Sequence, residues 1–183
     1  MRRAFAALIA GAALLALTAC GSGGESALDP LRARLEAAAG LEITADVSSA
    51  AEGRYSEYTL RYERGADGGT VTVLAPEPLA GVSASFDSGS ASLSYDGLAL
   101  SFELPGEVSP VTALPLLADA LAGAYETLSW TEGGDTFISL EATDSLSATV
   151  RLDADGAPVW AELLVDGVSA AECEITQFLI SEA

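Results

Sequence analysis

Few side chains in this sequence could do chemistry. Glu172 and Glu174 are spaced by two, so on a strand they project from one face. Paired carboxylates about 5–10 Å apart can hydrolyse glycosides. A solvated strand face gives the same pattern, and that is the expectation here, since nearly every strand segment carries such acids. Asp153, Asp155 and Gly156 could begin a calcium loop, but Ala157-Pro158 and a strand pattern follow where more oxygen ligands are needed. A hairpin turn is expected instead. Cys173, between Glu172 and Glu174, has no histidine or second cysteine to lower its pKa, so it reads as a small buried apolar residue. Gly68-Gly69 and Gly133-Gly134-Asp135 are turns, because no helix start or lysine follows to cradle a phosphate. No catalytic residue, metal or cofactor is expected, and the chain is read as non-enzymatic.

The charge balance excludes more. The 183 residues carry 27 acids, 8 arginines, no lysine and no histidine, for a net charge of −19. Nucleic acid is no partner for such a chain, because phosphate neutralisation needs clustered cations. Without histidine there is no catalytic triad, and most zinc sites are excluded. An apolar fraction of 50% argues against a disordered acidic tail.

The N-terminus reads as an address. Arg2 and Arg3 precede an apolar run from Ala4 to Leu17, too short to span a bilayer comfortably. The run ends in Leu17-Thr18-Ala19-Cys20-Gly21, which resembles a bacterial lipobox. That resemblance implies a signal peptide over 1–19 and a lipidated Cys20 as the first mature residue. Two acyl chains hold a protein on a membrane without a basic patch. Residues 20–27 then combine the lipidated cysteine with a flexible Gly/Ser tether. The expected location is the bacterial cell membrane, lipid-anchored on its extracytoplasmic face. Six arginines against 27 acids should be repelled by anionic headgroups, so the domain is expected to stand off the bilayer. With Cys20 acylated, Cys173 has no disulfide partner.

The elements that position these residues follow from periodicity. Asp29-Pro30 resembles an N-cap with Pro at the first helical position, and Leu28, Leu31 and Leu35 share a helical side, so a helix is predicted over 30–39 with Gly40 as its stop. From Leu41 the period is two. Tyr58, Leu60 and Tyr62 alternate with charged and polar residues. So do Val71 and Val73, then Val82, Ala84 and Phe86, then Ala91, Leu93 and Tyr95, then Leu98, Leu100, Phe102 and Leu104. A second helix is predicted to start near Thr112 or Ala113, with Leu114, Leu117 and Leu121 on one face and Pro115 tolerated only near its start. Strands return from Tyr125 to about Ile180, with Asp155-Gly156 and Asp166-Gly167 as hairpin turns. The predicted class is mostly β (α+β): roughly nine antiparallel strands in a curved sheet, with two short helices on its concave side. One domain covers 28–183.

Two segments carry a family resemblance: Gly69-Thr-Val-Thr-Val-Leu-Ala-Pro76-Glu-Pro-Leu-Ala-Gly81, and Leu152-Asp-Ala-Asp-Gly156-Ala-Pro158-Val-Trp160-Ala-Glu. With the order of elements over about 28–180, they resemble the LolA/LolB-like lipoprotein carriers, an incomplete β-barrel lidded by helices, and the germination lipoproteins of the GerS type. The resemblance implies a half-barrel that holds acyl chains, with a lipid or lipoprotein as ligand. The alternating apolar residues of that concave face, which either line a ligand site or simply form the core, are Leu60, Tyr62, Val71, Val73, Phe86, Leu93, Tyr95, Leu100, Phe102, Leu114, Leu117 and Leu121. The GerS-type alternative is a scaffold whose partner is a cell-wall or spore-cortex enzyme such as an amidase. Carriers of this type close the lid with an arginine on an early strand. Residues 70–75 contain none, and Arg54, Arg61 and Arg64, one strand earlier, are expected to face water. Trp160 is out of phase with Ala161 and Leu163, so it either marks a wetted binding patch or lies under a helix.

Overall fold

The computed structural model describes residues 26–51, 54–87, 90–95, 98–102 and 108–182. Residues 1–25, Cys20 among them, lie outside the described residues, as do Leu104 and the side chains of Arg54, Leu100 and Phe102. The elements run α1 (Asp29–Glu36), β1 (Ala38–Ala51), β2 (Arg54–Gly65), β3 (Gly68–Ala75), a 3-10 turn (Glu77–Leu79), β4 (Ser83–Asp87), β5 (Ser90–Tyr95) and β6 (Leu98–Phe102). They continue with α2 (Pro110–Gly123), β7 (Tyr125–Glu132), β8 (Asp135–Glu141), β9 (Leu146–Leu152), β10 (Pro158–Val165) and β11 (Val168–Glu182).

The eleven strands among the described residues form one sheet in the order β6-β5-β4-β3-β2-β1-β11-β10-β9-β8-β7. Every pairing is antiparallel. The first and last strands of the domain meet at its centre, and β6 and β7 are left as unpaired edges, so the barrel is not closed. Helix α2 touches strands from β3 round to β8. Those seven neighbouring strands would span about 29 Å if flat, whereas the 14-residue helix is only about 21 Å long. The sheet must therefore bend around the helix, which makes the curved, helix-plugged sheet read from the periodicity.

The turns follow their local chemistry. Asp166 and Gly167 both take positive φ, 51° and 76°, which is the handedness that a two-residue hairpin between right-twisted strands needs. Asp153 Oδ1 accepts from the backbone N–H of Asp155 and of Ala157, each at 2.9 Å. Its carboxylate is spent on shaping the hairpin.

Three local readings change. The first helix ends at Glu36, and Ala38 to Gly40 already belong to β1, because β11 pairs with β1 as far as Ala38–Glu182. Leu28 occupies the N-cap position and Asp29 is the first helical residue; its carboxylate accepts from the Ser26 N–H at 3.0 Å instead. The second helix begins at Pro110, not near Thr112. Ser109 and Thr112 form a reciprocal capping box that satisfies the free N–H groups. Pro115 consequently lies inside the helix, beyond its first turn.

Candidate functional site

Alternation divides the sheet's residues between two faces. On the concave face, Leu60, Tyr62, Val71 and Val73 from β2 and β3 are buried with Leu114, Leu117 and Leu121 of α2. Ile138, Leu140, Val150, Leu163 and Cys173 continue the same cluster from the other wing. Each fully buried leucine contributes about 1.5–3 kcal/mol, so this packing accounts for why two short helices stay folded on the sheet. Phe86 is half-buried against the cluster and Leu93 is half-buried. Tyr95, placed on the lining by its phase, is 49% exposed, because it lies at the last residue of β5 where the sheet ends.

The helices do not fill the whole concavity. A cavity of about 210 Å³ remains between β2, β3, the 3-10 turn and the first turn of α2. Tyr58, Leu60, Val73, Leu79, Val82, Pro110 and Val111 line it, and none is charged. Of the residues expected to line the concave face as ligand site or core, Leu60 and Val73 border this cavity, while Leu114, Leu117 and Leu121 are packed core. Tyr58 could have been found from its shared phase with Leu60. Val111 shares the helical phase of Leu114 and Ala118 and was missed only because the helix was expected to start later, whereas Leu79, in a turn, carries no periodic signal. A second hollow, about 430 Å³, lies between the end of α1 and the end of β11, lined by Ala33, Arg34, Ala37, Ala38, Ile180 and Glu182. It gathers none of the residues singled out by sequence.

Two arginines reach α2. Arg32 of α1 donates to the Leu121 carbonyl at 3.2 Å and to the Ala124 carbonyl, which satisfies orphan acceptors at the C-terminal end of α2. Sequence reasoning missed it, since an arginine on a short helix says nothing about a partner 89 residues away. Arg64 was expected to face water. It shares the phase of Leu60 and Tyr62, so it points to the concave side and meets Asp119 of α2 at 3.4 Å. This pair is open to solvent, with 28% and 73% of the two side chains exposed, and contributes at most about 1 kcal/mol. Burial raises the pKa of Asp119 above the usual carboxylate range, and Arg64 opposes that shift. Burial also raises Tyr62, with Arg64 lowering and Asp119 raising it further.

The groups of chemical interest are scattered. Cys173 lies fully inside the concave core, where burial, followed by the nearby Glu172, pushes its thiol up to about 12. It is a thiol at neutral pH, not a nucleophile. Glu172 and Glu174 lie on the opposite, convex face in solvent. Glu172 accepts from Trp160 Nε1 at 2.8 Å, and Glu174 lies 3.9 Å from Arg151. Trp160 is thus on the face away from the helices and packs under neither. The register aligns it in a convex row with Trp130, Phe137, Arg151, Glu174, Asp46 and Thr59. The Trp130 and Phe137 rings stack at 5.3 Å. Among the described residues no helix is long and apolar enough to cross a membrane.

No protein-family model matches the chain, and no curated protein matches it. The chain is similar in structure to a LolA superfamily protein from Nitrosomonas europaea, at 8% identity and a TM-score of 0.44, covering 83% of this chain and 94% of that one. It is similar to a putative outer membrane lipoprotein-sorting protein domain from Vibrio parahaemolyticus, at 12% identity and a TM-score of 0.47, covering 84% and 90%. A chain of the CwlD amidase–GerS lipoprotein complex from Clostridioides difficile is similar at 13% identity and a TM-score of 0.42, covering 87% and 94%.

Proposed function

We propose that this chain is a non-enzymatic lipoprotein, anchored through Cys20 on the extracytoplasmic face of a bacterial membrane, whose half-barrel holds the end of an acyl-type chain. The observation that carries the ligand reading is the uncharged, largely apolar lining of the 210 Å³ cavity, in which the Tyr58 side chain is the one polar side chain. Sites for whole small molecules run to about 300–1,000 Å³. A chain end fits this one, and a larger lipid enters only if α2 lifts. The helix is suited to that at its first end. Pro110 and Val111 line the cavity, and Pro115 cannot donate to the Val111 carbonyl that would tie this turn to the next. Arg32 pins the other end, so lifting of α2 to admit a larger lipid would start at its N-terminus.

Native mass spectrometry of the full chain, extracted from membranes in mild detergent, tests this. The expected spectrum shows a diacylglyceryl mass on Cys20 and one further, non-covalent lipid. The second mass should disappear in Val111→Trp, which fills the cavity. A chain carrying only the covalent lipid would overturn the ligand reading.

A second reading has its own observation. Leu114, Leu117 and Leu121 are fully buried, so most of the concave face is spent on packing, while Leu128 and Trp130 stay exposed on the convex face. That suits a scaffold for a cell-wall or spore-cortex enzyme such as an amidase. It predicts a crosslinked envelope complex that is lost in Trp130→Ala, with no second lipid mass.

A further inference from the structure

The strand register sorts the loops between two ends of the sheet. One end carries the 76–82 loop, the β8–β9 turn at 142–145 and the β10–β11 turn at Asp166-Gly167; the Asp166 N–H donates to the Ser145 carbonyl at 2.8 Å. The other end carries the turns at 66–67, Gly133-Gly134 and Asp153–Gly156. Exposed large apolar side chains are not shared evenly. Tyr55, Leu98, Tyr125 and Val168 are 69–77% exposed, and all four stand at the first end, beside Tyr95 and Leu79. At the second end the described exposure is limited to Leu179 and, three residues from its turn, Trp130.

The same end receives the N-terminal segment. The Ser26 hydroxyl donates to Glu126, next to Tyr125, where β7 begins. Five residues separate Ser26 from Cys20, and the six steps between them reach at most about 22 Å. Strand β1, with 14 residues, is about 45 Å long. A bilayer holding the acyl chains of Cys20 lies within reach of the first end and beyond reach of the second.

We infer that this apolar rim rests on the bilayer surface, with the Tyr125, Val168 and Leu98 side chains at headgroup level and the acidic convex face turned edge-on in water. The inference rests on Cys20 being the lipidated anchor. Tyrosine suits such a boundary because its ring is apolar and its hydroxyl is wet. The net charge predicts that the domain as a whole stands off; contact at one rim satisfies both demands. The rim also carries Glu77, Asp144 and Asp166, so the contact is apolar and works against anionic lipid. Leu79 and Val82, which line the 210 Å³ cavity, belong to the same rim, so a chain end leaving the bilayer meets the cavity at the surface.

The experiment is a depth measurement on the full, lipidated chain in phosphatidylcholine vesicles, with a nitroxide placed by Val168→Cys at the rim or by Leu179→Cys at the far end. Tyr125→Cys replaces the first variant if that one fails to fold. Buried Cys173 and acylated Cys20 do not take the label. The expected result is a severalfold higher ratio of oxygen to aqueous nickel-chelate collisions at 168 than at 179, shrinking when phosphatidylglycerol replaces part of the lipid. Equal ratios with the lipid mass present on Cys20 would overturn the rim contact and leave the anchor standing. A missing lipid mass would overturn the anchor and the inference with it. A rim label shielded from both reagents only in intact envelopes would mean that a protein covers the rim, and would also overturn it.

Discussion

The two faces of one sheet share backbone, strands and register, yet they behave as different materials. The concave face carries Leu60, Val71, Ile138, Leu163 and Cys173 in a dry cluster sealed by α2. The convex face alternates with it residue by residue and carries Thr59, Asp46, Glu174, Trp160 and Arg151, mostly in water. Their ionisable groups differ accordingly. The Cys173 thiol is pushed far up by desolvation, while the Arg151 ion pairs are loose, at 3.9 Å to both Asp135 and Glu174. Curvature makes the difference possible: only the inner face of a bent sheet can be covered by one helix.

The comparison can be broken most decisively at Leu117. Leu117→Ala opens a cavity under α2 and should cost about 2–5 kcal/mol in urea unfolding, whereas Glu172→Gln on the convex face should move stability by no more than about 0.5 kcal/mol. Equal costs would mean that the plug is not the core. Gly69→Ala comes next. A Cβ there would stand 2.5 Å from Tyr62 Cε2, so the buried ring must shift, and a loss of about 1–3 kcal/mol is expected by the same measurement. The third test is pH. The unfolded thiol ionises near 8.5 and the folded one near 12, so the unfolded chain loses its proton first. Stability contributed by Cys173 is complete below about pH 8.5 and declines as pH rises towards 12. Cys173→Ala should flatten that decline in the urea midpoint, and maleimide should label the native chain only as fast as it unfolds. The smallest effect is expected at Asp119. Desolvation already opposes its ionised form, and the pair with Arg64 is exposed, so Asp119→Asn should change stability by less than about 1 kcal/mol at pH 7.

Much of this was legible in the residues. Strict alternation assigned most of the inner face, and a two-residue period cannot slip without turning a whole strand inside out. The same rule placed Arg64 correctly once 60, 62 and 64 are counted together; grouping it with Arg54 and Arg61 as a water-facing set was the misreading. Proline signals worked unevenly. Ser109-Pro110 and Asp29-Pro30 look alike, but only Ser109 has Thr112 three residues on to complete a capping box, and at Asp29 the carboxylate turns to Ser26. The end of α1 was invisible because Ala38 and Ala39 favour a helix by propensity, and pairing of β1 with β11 overrides that preference. The cavity was only half legible. Its β-strand wall follows the strand period and Val111 follows the helical one once the helix is started at Pro110, but Leu79 reaches it through a turn, which local pattern does not encode. The convex position of Trp160 needed the topology, because phase alone does not say which face the helices cover.

The most direct measurement of the central claim is titration of the full chain with an environment-sensitive fluorescent fatty acid. The concave-site account predicts saturable binding at one site, abolished by Val111→Trp and unchanged by Trp160→Ala on the convex face. Binding that survives Val111→Trp, or that is lost with Trp160→Ala, would contradict it.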